Sequence, residues 1–206
     1  MSRETEKESV DKKTETSKRM VFTALFAALT AVCGFISIPV PGTPIPIVLQ
    51  NMLVVLTGLM LGPAWGAAAT VLFLAVGALG LPVFSGGTGG IARFMGPTGG
   101  FLYGYALATL VAGLIAQRPK YGARTPVLRL VLATVLGFVV MYIPGVLHFM
   151  KVMGKTFSQT MTLCVIPYIP GDIVKMVVAV LLSSKLRTAA SSYIFKDNPE
   201  EDVSNG

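Results

Sequence analysis

Acidic side chains are almost absent from the central part of this chain. Between Thr16 and Lys196 the sequence contains only one, Asp172, and the stretch consists of apolar runs separated by short Pro/Gly-rich or basic breaks. A soluble domain normally carries about 25% charged residues spread over its surface, whereas this chain of 206 residues has 13% charged and 53% hydrophobic residues. The chain is therefore predicted to be an all-α integral membrane protein.

The apolar runs predict six transmembrane helices, at about residues 20–38, 46–61, 64–81, 99–116, 127–147 and 165–187. Several runs are shorter than the roughly 20 residues of a perpendicular span, but six is the simplest count. We expect one membrane domain over residues 20–188. It is flanked by segments 1–19 and 189–206, which are polar or end in a polar, charged run and are predicted to be disordered cytoplasmic tails.

The basic residues predict the orientation of these helices, because cytoplasmic loops carry the excess of Lys and Arg. Six spans place most of the 17 basic residues on the side of the two termini, namely Arg3, Lys7, Lys12, Lys13, Lys18, Arg19, Arg118, Lys120, Arg124, Arg129, Lys185, Arg187 and Lys196. The opposite side holds Arg93, Lys151 and Lys155. Both termini are therefore predicted to be cytoplasmic, and topology explains the net charge of +7 better than nucleic-acid binding does.

The three predicted outward connections have unusual compositions. The first is SIPVPGTPIPIV, with four prolines from Pro39 to Pro46, and the second is LPVFSGGTGGIARFMGPTGG, with seven glycines from Gly86 to Gly100. The third is HFMKVMGKTFSQT. Irregular backbone near membrane depth is tolerated where protein buries it or where it lines a cavity. We expect these irregular outward loops to cover a ligand pocket.

Asp172 and Lys175 lie within the last predicted span, in the sequence IPGDIVKMVVAVLL. Residues three apart share a face of a helix, and charges inside a bilayer are costly enough to suggest a functional site. The alternative is a structural ion pair, but a buried pair seldom returns its desolvation cost as stability. The pair therefore predicts a site for a small polar solute.

Two further side chains are candidates for the same site. Arg93 lies among glycines and apolar residues, and its guanidinium suits a carboxylate; the alternative is an arginine that reaches to lipid headgroups. Gln50 and Asn51 begin the second span, and adjacent residues on a helix face about 100° apart. We expect only one of them, Gln50, to point inward, with a plain interhelical hydrogen bond as the equal alternative.

The sequence offers little for metal or nucleotide chemistry. His148 is the only histidine, residues 154–156 (GKT) lack the glycine that would precede them in a phosphate-binding loop, and Cys33 and Cys164 lie among apolar neighbours. An intramembrane enzyme that uses Lys175 remains an alternative. No pattern ties Lys175 to the serines that could approach it, which are Ser37, Ser85 and Ser158.

Small residues recur at helical spacing in the first two spans. Ala24 and Ala28 follow the charged segment directly, with Ala27 and Ala31 one position round the helix. Small residues four apart let membrane helices approach closely. An external partner helix is at least as good an explanation as internal packing for these alanines, whereas internal packing is the simpler one for Gly58 and Gly62 in the second span.

Several motifs occur together in this order: SIPVPGTPIPIVLQ, LGPAWGA, GALGLPVFSGGTGG, GPTGGFLYGY and PGDIVK. On these motifs the chain resembles the BioY family, the biotin-binding S components of energy-coupling factor (ECF) transporters, from about residue 24 to residue 186. The resemblance implies a six-helix, non-enzymatic subunit that captures biotin with high affinity and needs no cofactor. It also implies partners, namely a transmembrane coupling protein and two ATPase subunits in the bacterial cell membrane.

The resemblance also implies roles for individual residues. The polar positions directed at biotin fall on Gln50, Arg93, Asp172 and Lys175, and the alanine motif that contacts the coupling protein falls on Ala24 and Ala28. Biotin has a ureido ring, an apolar thioether-containing body and a carboxylate. We expect Asp172, with Lys175 or Gln50, to hold the ureido group and Arg93 to hold the carboxylate. Aromatic residues cover the body or simply pack in the core, namely Phe84, Tyr142 and Tyr168.

A self-sufficient secondary transporter of biotin or another small vitamin is the main alternative. Such a protein would show inverted repeats or a polar path across the membrane. In this sequence the only sign of a repeat is the Gly-Pro pair, which occurs at Gly62-Pro63 and again at Gly96-Pro97.

Overall fold

The computed structural model describes residues 2–120 and 123–194, and the side chains of residues 13–120 and 123–193 among them. Seven α-helices follow one another in these residues: α1 (Ser2–Cys33), α2 (Gln50–Ala78), α3 (Ala92–Met95), α4 (Gly99–Ala116), α5 (Val127–Met153), α6 (Phe157–Cys164) and α7 (Ile169–Ile194). Strands β1 (Ser37–Ile38) and β2 (Ile47–Val48) form a small antiparallel pair. A 3-10 turn (Ile166–Tyr168) leads into α7.

Helix α2 consists of two arms that fold back on each other at Gly62. Gly62 has φ +75° and ψ −172°, a left-handed conformation that favours glycine, and Pro63 begins the second arm. The hydroxyl of Thr109 on α4 contacts both arms, since it lies 3.1 Å from the Val54 carbonyl and 2.8 Å from the Thr70 hydroxyl. Residues at equal distances on either side of Gly62 thus come together, as in an antiparallel hairpin.

This hairpin reconciles the helix count with the predicted six spans. Within the described residues, five helical segments are long and apolar enough to cross a membrane, and one of them is all of α2. Its two arms match the predicted spans at residues 46–61 and 64–81. Counted separately, these arms bring the number of membrane-crossing helices in the described residues to six. The sequence prediction of a six-helix membrane protein agrees with this architecture. Gly62 forms the turn between the arms, a role that the sequence prediction missed, and it also packs closely as predicted, since a Cβ added to Gly113 of α4 would lie 2.7 Å from the Gly62 carbonyl carbon.

Close approach of small residues holds the central helices together. Helix α4 packs between α2 and α5. A Cβ added to Gly58 would lie 2.3 Å from the Thr109 carbonyl oxygen, and one added to Gly104 would lie 2.5 Å from the Met141 carbonyl oxygen. The predicted packing role of Gly58 is therefore confirmed. Outside this core, large apolar side chains of α5 and α7 remain exposed, as expected for surfaces that face lipid.

The polar segment before the first span differs from its prediction. Residues 1–19 are predicted to be disordered, but α1 begins at Ser2 and continues without a break to Cys33. Extending an existing helix avoids the cost of nucleation, and the ion pair between Glu15 and Arg19, at 2.9 Å, lies at the favourable i, i+4 spacing. The Lys18 ammonium also lies 5.9 Å from the centre of the Tyr193 ring on α7.

The prediction of a disordered carboxy-terminal tail over residues 189–206 is wrong for its first residues. Helix α7 extends to Ile194, so residues 189–194 are helical rather than disordered. Residues 195–206, which complete that predicted tail, lie outside the described residues, as does Met1 of the other tail.

A buried arginine joins the helix ends on the side of the Gly62 turn. Arg187 of α7 is 4% exposed, and its guanidinium donates to the carbonyl oxygens of Leu59, Ala116 and Gln117 and to the Thr125 hydroxyl. Carbonyl groups at a helix C-terminus carry partial negative charge and suit a cation. This contact fastens α7 to the first arm of α2 and to α4, at the end of the molecule where the predicted cytoplasmic connections lie.

Candidate functional site

A cavity of about 240 Å³ lies at the opposite end, beneath the first two of the three predicted outward connections. The proline-rich segment contributes Pro44, Ile45 and Pro46, and the glycine-rich connection contributes Ser85, Thr88 and Arg93 among others. The helices contribute the remaining walls, including Asn51, Tyr105, Met141, Tyr142, Asp172 and Lys175. The prediction that irregular connections cover a pocket agrees with this arrangement for the first two connections, whereas the third, residues 148–160, contributes no residue to the cavity wall.

All four predicted polar residues lie on the wall of this one cavity. Gln50 begins α2, Arg93 lies on α3, and Asp172 and Lys175 occupy the first two turns of α7. Helical spacing explains the last two, since residues three apart share a face. The structure brings these residues together; their contact with a ligand is taken up below as a proposal.

Asp172 is the centre of a buried hydrogen-bond network. One carboxylate oxygen accepts from Lys175 Nζ at 2.9 Å and from Asn51 Nδ2 at 3.1 Å, and the other accepts from the Tyr142 hydroxyl. Asp172 is 4% exposed and Lys175 is 7% exposed. Their charges are thus balanced inside the protein, as a buried ion pair requires.

The network around Asp172 has hydrogen-bond donors and acceptors that are not used within the protein. Lys175 Nζ has three N–H groups, and two of them are directed at Asp172 and at Asn51 Oδ1, the latter at 3.2 Å. One amide hydrogen of Asn51 and lone pairs on the Asp172 carboxylate also remain. Donors and acceptors therefore lie side by side on one wall, an arrangement suited to a compact ligand group that carries both N–H and C=O.

Asn51 was missed by the sequence prediction. The argument that only one of Gln50 and Asn51 points inward is wrong, because both side chains line the cavity. Gln50 is 1% exposed, and its Nε2 donates to the Thr30 carbonyl at 3.0 Å and to the Val83 carbonyl at 2.8 Å. Both its N–H groups are thus engaged, which leaves the oxygen of Gln50 as an acceptor and disfavours the expected donation to a ligand carbonyl.

Arg93 is the half-buried cation on the glycine-rich side of the cavity. Its side chain makes no hydrogen bond or ion pair with the other residues that the structure describes. It therefore differs from Lys175, whose charge is already paired within the protein. An unpaired guanidinium beside a largely apolar cavity is suited to an anionic group, which it can hold through two parallel hydrogen bonds.

The aromatic residues have polar as well as apolar roles. Phe84, Tyr142 and Tyr168 all line the cavity, as predicted for residues that cover a ligand. The hydroxyl of Tyr142 is bonded to Asp172, and that of Tyr168 donates to the Ile45 carbonyl in the proline-rich segment. Tyr168 thereby holds this segment over the cavity. Residue type alone does not reveal these hydroxyl partners.

The two alanines predicted to meet a partner protein lie away from the cavity. Ala24 and Ala28 are exposed on the outer face of α1, whereas Ala27 is 7% exposed and packs in the core. The exposed face also carries Val21 and Leu25. This placement fits a surface for a partner helix and equally a surface that meets lipid.

Comparison with known proteins gives consistent results. A sequence model described as "BioY family" matches residues 5–192. The "Probable biotin transporter BioY" of Pyrococcus horikoshii is 37% identical over 171 residues, which cover 83% of this chain and 97% of that protein. The "Biotin transporter BioY" of Rhodobacter capsulatus is 39% identical over 176 residues, which cover 81% and 91% respectively.

A solved structure is also similar in fold. It is the crystal structure of the S-component for biotin from an ECF-type ABC transporter, and it matches with a TM-score of 0.76 at 26% sequence identity. The match covers 84% of this chain and 93% of that one. The shared fold therefore includes nearly the whole membrane region.

Proposed function

We propose, from the premise that this chain belongs to the BioY family, that it is a high-affinity biotin-binding membrane subunit that mediates biotin uptake together with an ATP-driven ECF module. One observation carries the proposal. The buried group formed by Asn51, Tyr142, Asp172 and Lys175 faces a cavity that also contains the unpaired Arg93. The proposed activity is transport, and ATP hydrolysis belongs to partner subunits.

The ureido group of biotin matches the network on α2, α5 and α7. It has two N–H donors and one carbonyl acceptor. Asp172 can accept from an N–H, and the free N–H groups of Lys175 and Asn51 can donate to the carbonyl. Gln50 serves in this proposal as an acceptor, since its amide donates to Thr30 and Val83. Polar groups that are already held by neighbours lose little freedom on binding, which favours affinity.

The remaining parts of biotin match the rest of the cavity. The apolar bicycle fits against the aromatic side chains of Phe84, Tyr105 and Tyr168. The carboxylate at the end of the flexible chain fits Arg93. This direction places the ureido group deep, against the helices, and the carboxylate near the outward connections.

In this proposal the chain binds the ligand in its cavity but does not itself provide the energy for uptake. That energy comes from the ATP-driven partner module that the family resemblance implies. The exposed Ala24 and Ala28 of α1 form the docking surface for the transmembrane coupling protein, and two ATPase subunits supply the work. ATP hydrolysis then reorients the subunit and delivers the outward site to the cytoplasm. The excess of basic residues on the side of the Gly62 turn supports a cell-membrane orientation with both termini cytoplasmic.

The decisive experiment is calorimetry of the detergent-purified chain, without partners, against biotin and a panel of other vitamins. Tight one-to-one binding of biotin without ATP is the expected result. A folded protein that binds another vitamin and not biotin would refute the proposed ligand.

The alternative, a self-sufficient secondary transporter, is tested with the same preparation. The chain is reconstituted alone in lipid vesicles, and uptake of labelled biotin is followed without any ATPase. No accumulation is expected from the lone chain, and accumulation after addition of the coupling protein, the two ATPases and ATP. Accumulation by the lone chain would favour the alternative.

A further inference from the structure

The hydroxyl of Ser85 is a buried polar group without a partner. Its Oγ exposes less than 1 Å² of surface and makes no hydrogen bond within the described residues, whereas Ser85 as a residue is only half-buried and belongs to the cavity wall. Most buried side-chain polar atoms in proteins have a hydrogen-bond partner. An unsatisfied hydroxyl lowers stability, so its occurrence on a residue of the cavity wall suggests that the partner is the ligand.

The turn that carries Ser85 is rigidly anchored. Phe84 and Thr88 exchange two backbone hydrogen bonds, at 2.8 and 3.2 Å, and the amide of Gly86 donates to the Gly34 carbonyl at 2.9 Å. The ring of Phe84 is 2% exposed and packs edge-on against Phe73. These contacts fix the backbone on both sides of Ser85, so its hydroxyl can change position only by rotation about the Cα–Cβ bond.

The polar groups around Ser85 favour an anionic partner. The connection from residue 79 to residue 98 contains no acidic residue, and it contributes Ser85, Thr88, Arg93 and Thr98 to the cavity wall. The Thr88 hydroxyl already donates to the Ser85 carbonyl at 2.9 Å. Ser85 has its donor available, on the same connection as the unpaired Arg93. A hydroxyl and a guanidinium without a neighbouring carboxylate are suited to an anion.

We propose that the Ser85 hydroxyl donates a hydrogen bond to the carboxylate of the bound ligand, beside Arg93. The inference rests on the proposed biotin function and assigns to Ser85 a specificity-determining contact at the carboxylate end. Arg93 supplies the charge, and Ser85 supplies a buried donor that a neutral ligand end uses less well, because hydrogen bonds to charged groups are stronger than those between neutral groups.

A nucleophilic role for Ser85 is disfavoured by the same geometry. Lys175 is the lysine of the cavity wall, and its Nζ donates to Asp172 and to Asn51. An ammonium that is engaged as a donor to a carboxylate has no lone pair with which to take the Ser85 proton. Ser85 therefore has a donor role in binding and no base that would activate it.

The test compares Ser85→Ala with the wild-type chain, using calorimetry with biotin and with biotin amide, whose end group is neutral. Loss of a hydrogen bond to a charged group is expected to weaken biotin binding about tenfold or more, and amide binding by a smaller factor. Ser37→Ala is the matched control, because Ser37 lies near the same turn, with its Oγ 3.7 Å from the Cβ position of Gly86, but is not part of the cavity wall. It should leave both affinities unchanged.

Each outcome separates the possibilities. Unchanged biotin affinity in Ser85→Ala would overturn the inference. Equal losses for biotin and its amide would overturn the assignment to the carboxylate. If the alanine variant does not fold, Ser85→Cys keeps the size of the side chain with a weaker donor and should show the same preference. Failure of the wild-type chain to bind biotin would instead refute the proposed function.

Discussion

Asn51 and Lys175 are separated by 124 positions in the sequence, yet Lys175 Nζ donates to Asn51 Oδ1 at 3.2 Å. The same asparagine donates through Nδ2 to Asp172, the ion-pair partner of Lys175. Asn51 therefore joins both members of the buried pair and fixes the first arm of α2 against α7. We therefore expect the loss of this contact to weaken both the packing of α2 against α7 and the proposed ligand site.

The buried pair gives the first prediction. Asp172→Asn leaves Lys175 without its counterion, so we expect a loss of about 3–5 kcal/mol in the free energy of unfolding, together with loss of biotin binding. Thermal unfolding in detergent and calorimetry measure the two effects. The double variant Asp172→Leu/Lys175→Met removes both charges and should regain much of the stability without regaining binding. Recovery of binding in the double variant would contradict the role assigned to the pair.

Replacement of Arg93 is expected to separate binding from folding. Its side chain makes no hydrogen bond with the described residues, so Arg93→Ala should leave the unfolding temperature nearly unchanged. Biotin affinity should fall by about tenfold or more, and affinity for biotin amide by less, because the carboxylate loses a charged partner. Arg93→Lys keeps the positive charge but cannot form two parallel hydrogen bonds with a carboxylate, so its biotin affinity should lie between those of the wild type and Arg93→Ala. Equal losses for the two ligands would disprove the assigned direction of biotin in the cavity.

The outer face of α1 provides a prediction about transport. Ala24→Leu/Ala28→Leu should abolish ATP-driven uptake in the assembled system while leaving biotin binding by the isolated chain unchanged, because bulky residues prevent close helix approach. Ala68→Leu, at an exposed position on the second arm of α2, is the matched control and should transport normally. Normal uptake by the α1 variant would argue against docking at this face, whereas lost binding would indicate a folding defect.

Packing between α2 and α4 gives a prediction about stability. Gly58→Ala places a Cβ 2.3 Å from the Thr109 carbonyl oxygen, and overpacking of this kind costs about 1–3 kcal/mol. Gly171→Ala is the control, since nothing lies within 4 Å of its added Cβ and α7 is helical there. That control should be neutral or stabilising by less than about 1 kcal/mol. Thermal unfolding of both variants in the same detergent provides the comparison.

The sequence predicted the site best where charge is rare. Asp172 and Lys175 are recognisable because an apolar stretch rarely contains charged residues without a role, and Arg93 is recognisable because of its apolar and glycine neighbours. Asn51 was rejected by an argument that assumed a narrow inward face. At the start of α2 the cavity is wide enough for two adjacent side chains, and Gln50 also reaches α1 through the Thr30 carbonyl.

The fold was predictable to a similar extent and for similar reasons. Apolar runs in the sequence predict the membrane-crossing helices, and Gly62-Pro63 indicates the break between the two arms of α2. Composition did not reveal that α1 continues through residues 2–19, because polarity indicates solvent exposure and does not by itself end a helix. The unpartnered Ser85 hydroxyl was equally hidden, since it depends on a turn closed by backbone hydrogen bonds.

The contact between Tyr168 and the Ile45 carbonyl has a consequence for the rate of ligand exchange. Tyr168 lies one helical turn before Asp172. The residue that holds the proline-rich segment and the residue at the centre of the polar network therefore belong to the same short length of chain. A displacement at the start of α7 would therefore open the entrance and disturb the ligand contacts in one event. We therefore expect entry and escape of the ligand to share a single barrier, so that the residence time depends on the start of α7 as well as on the number of polar contacts in the cavity.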